Sequence, residues 1–104
     1  MGGEFIDVLF AGVSTTAESP SVDVLKNTAN YSLITTAGTV SSGAVILLEG
    51  SADNTNWITL GTDTIVGNGT THLNSKSKVR WVRANMNDYT DGTYTSTLIV
   101  DSIL

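Results

Sequence analysis

Gly43-Ala44-Val45-Ile46-Leu47-Leu48-Glu49-Gly50-Ser51-Ala52-Asp53-Asn54-Thr55-Asn56-Trp57-Ile58-Thr59-Leu60-Gly61 is the stretch that decides the fold class. Ala44 to Glu49 is short, continuous, apolar and rich in branched side chains. Gly50, Asp53, Asn54 and Asn56 then crowd into a few positions before Trp57 restarts the hydrophobic pattern. Two strands joined by a polar turn satisfy this pattern, and the same grammar runs through almost the whole chain. The expected architecture is an all-β antiparallel β-sandwich, jelly-roll-like or Ig-like, of about eight short strands.

Downstream of the opening hairpin, Asp63 to Val66 and Thr70 to Asn74 flank Gly67-Asn68-Gly69. Glycine and asparagine tolerate positive φ, so a second hairpin is expected there. In Val79 to Met86 the two-residue period puts Val79 and Trp81 on one face and Val82, Ala84 and Met86 on the other, with Arg80 and Arg83 on opposite faces. Asn87 to Gly92 turns the chain into Thr93 to Asp101, where Thr93, Thr95 and Thr97 line one face and Tyr94, Leu98 and Val100 the other. Upstream, Val22 to Lys26 and Tyr31 to Thr36 read as short strands separated by a turn over Asn27 to Asn30. Glu4 to Ala11 reads as a first strand with one buried face, ended by Gly12. Val13 to Ser21 is small and polar and holds Pro20, the single proline, which cannot donate to a sheet ladder; a mobile arm or contact loop is expected here.

The 104 residues suffice for one core, so a single domain over 1–104 is expected, with 1–21 as a partly extended N-terminal arm and loop. Five Lys and Arg against ten Asp and Glu give a net charge of −5, which disfavours nucleic acid and anionic lipid as partners by Coulomb repulsion. With no cysteine, stability has to come from packing or association. No apolar run is long enough to span a bilayer, and Met1 to Glu4 lacks the basic and apolar regions of a signal peptide, so synthesis in a cytoplasm is expected.

Reactive chemistry finds little footing. His72 is the sole histidine, and no G-x-S-x-G elbow accompanies it. One histidine without cysteine cannot supply a zinc site. Asp53, Asn54, Asn56 and Asp63 offer oxygens of the kind calcium takes, but their spacing is not that of an EF-hand loop, and Asp53 and Asn54 are explained by the turn itself. The expectation is therefore a protein that is not an enzyme and that uses no metal or cofactor. Trp57 and Trp81 lie inside apolar strands and are expected in the core, whereas Tyr89, in a polar turn, is expected to be exposed. Lys76, Lys78, Arg80 and Arg83 form a basic cluster suited to an acidic protein surface.

Leu48-Glu49-Gly50-Ser51-Ala52-Asp53-Asn54-Thr55-Asn56-Trp57-Ile58-Thr59-Leu60, together with Val79-Arg80-Trp81-Val82-Arg83-Ala84-Asn85 and its following Tyr-Thr-Asp-Gly-Thr turn, resembles small tailed-bacteriophage virion proteins, of the capsid decoration or cement type and related head or tail accessory β-domains. The likeness covers Ala44 to Val100. It implies a domain on the exterior of an assembled capsid in the virion, bridging subunits of the major capsid protein and self-associating as a homotrimer. Candidate protein-contact residues are Phe5, Pro20, Lys76, Lys78, Arg80 and Tyr89. The E-G-S-x-D-x-x-x-W element also occurs in sugar-binding and adhesion sandwiches, so the alternative is a carbohydrate-binding module displaying Trp57 or Tyr89.

Overall fold

A computed structural model describes residues 4–24 and 28–102, and for Glu4, Phe5, Thr28 and Ser102 the backbone alone. It is an antiparallel β-sandwich of nine strands: β1 (Glu4–Val13), β2 (Ala17–Glu18), β3 (Val22–Asp23), β4 (Thr28–Gly38), β5 (Ala44–Ser51), β6 (Trp57–Ile65), β7 (Gly69–Lys78), β8 (Trp81–Tyr89) and β9 (Thr93–Ser102). Sheet A has the order β1-β9-β4-β7. In sheet B, β8-β5-β6 is flanked by β2 and β3, both of which pair with the free edge of β8.

The expected strand content holds, and the two-residue period sorts the faces as read. Tyr94, Ser96, Leu98 and Val100 of β9 point inward, and so do Val82, Ala84 and Met86 of β8. With Tyr31 and Leu33 from β4 and Ile46 and Leu48 from β5 they fill the space between the sheets. One polar pair sits in that core: the hydroxyls of Thr35 and Ser96 lie 2.8 Å apart on neighbouring strands and satisfy one another, which removes the penalty of burying either alone.

The pairing differs from expectation. Of the strands adjacent in sequence, β5 and β6 alone form a hydrogen-bonded hairpin among the described residues, with Ser51 opposite Trp57 and Ala44 opposite Ile65. Gly67 to Gly69 does not close a second hairpin. It carries the chain from the edge of sheet B to the edge of sheet A, where β7 pairs with β4 from Thr28/Lys78 to Ala37/Gly69. The two edges are tied by side chains instead: Ser75 Oγ donates to the Leu60 carbonyl at 3.1 Å, and Thr71 Oγ1 donates to Asp63 at 2.5 Å. A tight glycine-rich turn serves either geometry, which is why local sequence does not separate them.

Two further readings are corrected. Thr28 to Asn30 is not a turn but the start of β4, in register with both β7 and β9; Leu25, Lys26 and Asn27 lie outside the described residues. Gly12 does not end β1, which runs to Val13 with register shifts between Val8 and Phe10 and between Phe10 and Val13. The first shift lets Leu9 and Phe10, adjacent in sequence, both turn inward, while Ile6 and Val8 remain 63% and 53% exposed.

Residues 17–24 are not a free arm. Ser19 N–H donates to the Ala84 carbonyl (2.8 Å), Ser19 Oγ accepts from Ala84 N–H (2.9 Å), and Val24 N–H donates to the Arg80 carbonyl (2.7 Å). Pro20 forms the exposed bulge between β2 and β3, as expected of a proline at a sheet edge.

Candidate functional site

The two segments that carry the resemblance are neighbours in space. Ser51 of β5 lies opposite Trp57 of β6 on one side and Trp81 of β8 on the other; Glu49 lies opposite Thr59 and Arg83, and Leu47 opposite Thr62 and Asn85. These residues share the outer face of sheet B, because Val82, Ala84 and Met86 occupy the inner one. Trp57 and Trp81 are therefore half-buried on the surface, not in the core. The alternation with Val82, Ala84 and Met86 was the signal for this, since Trp81, Arg83 and Asn85 have the opposite parity.

Arg83 is the hub of this face. Its Nε donates to Glu49 Oε1 at 2.8 Å, its Nη2 reaches Glu18 at 3.2 Å, and its guanidinium carbon lies 4.1 Å from the centre of the Trp57 ring. Salt bridge and cation–π contact thus share one planar cation, for which guanidinium is better suited than ammonium. The side chains of Arg83 and Glu49 are only 18% and 11% exposed. Apart from Arg83, Glu49 receives among the described residues only a long 3.5 Å contact from Asn85 Nδ2. Arg83→Ala should therefore cost roughly 2–3 kcal/mol in urea unfolding, below the figure for a fully buried pair because Glu18 is open to water. A loss under about 0.5 kcal/mol, the size of an ordinary surface change, would contradict this account of the hub.

Arg80 makes a second clasp. Nε and Nη2 each lie 2.7 Å from the Asp23 carboxylate, which raises the guanidinium pKa first by hydrogen bonding and then by charge, and the cation sits 5.4 Å from the Trp81 ring centre. Both arginines of the expected basic cluster are thus engaged within the molecule. Together they fasten the segment from Glu18 to Asp23 onto sheet B.

Two carboxylates organise turns. Asp53 accepts from the N–H groups of Asn56 and Thr55, from Asn56 Nδ2 and from Ser51 Oγ, and these bonds hold it well below the usual carboxylate range. Asn54 beside it has φ 63°, a conformation asparagine tolerates. At the opposite end of the sandwich Asp91 accepts from the N–H groups of Gly43, Ser42 and Ser41 and from Ser41 Oγ, which lower it to about 2. With a folded pKa below the unfolded value of about 3.9, Asp91 stabilises the fold above about pH 4, and this is lost as pH falls toward 2. Melting temperature against pH should fall across that window in the natural chain and fall less in Asp91→Asn; identical curves would contradict the assignment.

The six candidate contact residues do not form one surface. Lys76 and Lys78 are exposed on the outer face of sheet A, Arg80 is clasped at the margin of sheet B, and Pro20 sits on the edge beside β8. Tyr89 is half-buried rather than exposed: its hydroxyl donates to the Gly92 carbonyl at 2.8 Å and its ring meets Tyr94 edge-on. Phe5 stands in β1 opposite Val100, its side chain outside the described residues. Tyr31 and Tyr94 are in the core, where burial raises both hydroxyl pKa values. Among the described residues no group of three or more His, Cys, Asp or Glu side chains comes together, and His72 is exposed in β7 opposite Ile34.

No protein-family model matches the chain, and no curated protein is similar to it in sequence. Solved structures are similar in fold. The SPBc2 prophage-derived protein YomS superposes with a TM-score of 0.75 at 11% identity, covering 98% of this chain and 96% of that one. A chain of the Bacillus endospore appendages, described as a family of disulfide-linked pili, gives 0.51 at 8% identity, covering 100% of this chain and 92% of that one. A chain of infectious bursal disease virus gives 0.48 at 6% identity and is covered over 32% of its length.

Proposed function

We propose that the chain is a virion structural protein that binds the outer surface of an assembled phage head and stabilises it by bridging subunits of the major capsid protein. The observation that carries this reading is the fold shared end to end with a prophage-derived protein, at a TM-score of 0.75. The chemistry of the outer face of sheet B is in accord with it, because Arg83, Glu49, Arg80 and Asp23 are spent on holding the domain together. A small domain that makes the same weak contact at many symmetry-related positions gains avidity without any single strong site. Binding only the mature shell shifts the shell's equilibrium toward that state. Assembly into homotrimers on the shell belongs to the same proposal.

The test is sedimentation of the purified protein with undecorated heads of the phage or prophage that encodes it. Saturable co-sedimentation and a higher disruption temperature of the heads are expected; protein left wholly in the supernatant would refute the reading.

A second reading, sugar binding, draws on the half-exposed tryptophans of sheet B. Against it, the Arg83 guanidinium already stacks on Trp57. Glycan binding that disappears in Trp57→Ala with the fold retained would favour it.

A further inference from the structure

The outer face of sheet A differs in kind from that of sheet B. Register places Ile6 and Val8 of β1, Thr97 and Ile99 of β9, Ser32 and Ile34 of β4, and His72, Asn74 and Lys76 of β7 on this one face. Ile6 and Val8 are among the exposed large apolar side chains of the described residues, and Ile34 and Ile99 beside them are half-buried. An apolar stripe therefore crosses three strands and ends at a margin bearing Lys76 and Lys78. Neither lysine is in an ion pair with a described residue, whereas both arginines are. At the same end of the face Asp101 of β9 is in register with Asn30, which is in register with Lys76, so one carboxylate lies two strands in from the lysine margin.

Resting on the proposed virion role, we propose that this face of sheet A is the surface that docks on the head, against a shell surface that is apolar at its centre and acidic where the β7 margin falls. Size and charge select this occupant. Four strands spaced about 4.8 Å apart and about ten residues long present roughly 600 Å². That is below the ~800 Å² per partner of a stable two-body interface, so one such contact is weak and becomes effective by repetition over a shell. Two neighbouring lysines without an ion pair among the described residues, on a chain of net charge −5, orient that chain toward an acidic surface and away from its own bulk charge. The outer face of sheet B is less available, since Arg83 covers Trp57 and the segment from Glu18 to Asp23 covers the β8 edge.

The experiment compares three double variants with the natural chain in co-sedimentation with undecorated heads, after near-ultraviolet circular dichroism has shown each to be folded. Lys76→Glu with Lys78→Glu reverses the charge of the margin, and Ile6→Ser with Val8→Ser removes apolar contact at two exposed positions that the core does not need. Each should weaken binding about tenfold or more, the charge variant losing its disadvantage as salt is raised. Thr62→Glu with Thr64→Glu, on the outer face of sheet B, should bind like the natural chain. If the sheet A variants bind normally and the sheet B variant does not, the docking face is misassigned while the virion role stands. If the natural chain itself does not bind, the virion role fails first. If the natural chain is a stable dimer in light scattering that Ile6→Ser with Val8→Ser dissociates, a second copy covers the face and the proposal is overturned.

Discussion

Replacing Gly43 with alanine is expected to remove a large share of the stability of the fold. Gly43 has φ +109°, and a Cβ built there falls 1.8 Å from the Ile65 carbonyl oxygen and 2.8 Å from its carbon. Both are backbone atoms of β6, in register opposite the neighbouring Ala44, so neither can swing aside as a side chain end does. Nor can Gly43 retreat, because its N–H donates to Asp91 at 2.9 Å and its carbonyl accepts from Thr90 at 3.0 Å and Asp91 at 3.3 Å. Forbidden φ and a backbone clash combined should exceed about 4 kcal/mol, against a total stability of roughly 5–15 kcal/mol for a domain of this size. Gly38→Ala is the control, since nothing lies within 4 Å of its built Cβ, and its unfolding free energy should change by less than about 1 kcal/mol. Urea unfolding of the two variants side by side checks this, and a Gly43→Ala protein of natural stability would show the strand junction to be built otherwise.

The second large effect is expected at Leu98. Its side chain is fully buried in β9, the strand that pairs with β1 on one side and with β4 on the other, where Leu33 stands directly opposite. Leu98→Ala removes contacts from the middle of sheet A and should cost about 2–5 kcal/mol, the spread depending on how far the two sheets can close over the gap. Ile6→Ala, an outward residue of the neighbouring strand, should cost under about 0.5 kcal/mol. Equal losses at the two positions in denaturant titrations would mean that the inner and outer faces of sheet A have been exchanged.

Strands and faces were legible in the sequence because they depend on neighbours two residues apart. Thr93, Thr95 and Thr97 against Tyr94, Leu98 and Val100 is one instance, and the Asp53-Asn54 turn between β5 and β6 is another. Partners were not legible, because they are set across the chain: Glu4 meets Asp101, and Thr28 meets Lys78. Nothing local to Gly67-Asn68-Gly69 reports whether the following strand returns to the same sheet or crosses to the other. The misplacement of Trp57 and Trp81 has a different cause. Size and apolarity argued for the core, but the core was already filled by Val82, Ala84 and Met86 of the opposite parity, and Arg83 gave the indole of Trp57 a partner outside it. Likewise the grouping of Lys76, Lys78, Arg80 and Arg83 followed from proximity in sequence, and the passage from β7 in sheet A to β8 in sheet B divides it.

The proposed role is that of a strand-built domain that binds an assembled shell through many repeated contacts. Cryo-electron microscopy of heads isolated with and without this chain tests it most directly. The expected result is added density on the outer surface at symmetry-related positions, of a size that fits the sandwich, with the lysine margin of sheet A toward the shell. Heads of identical surface in the two preparations would contradict it.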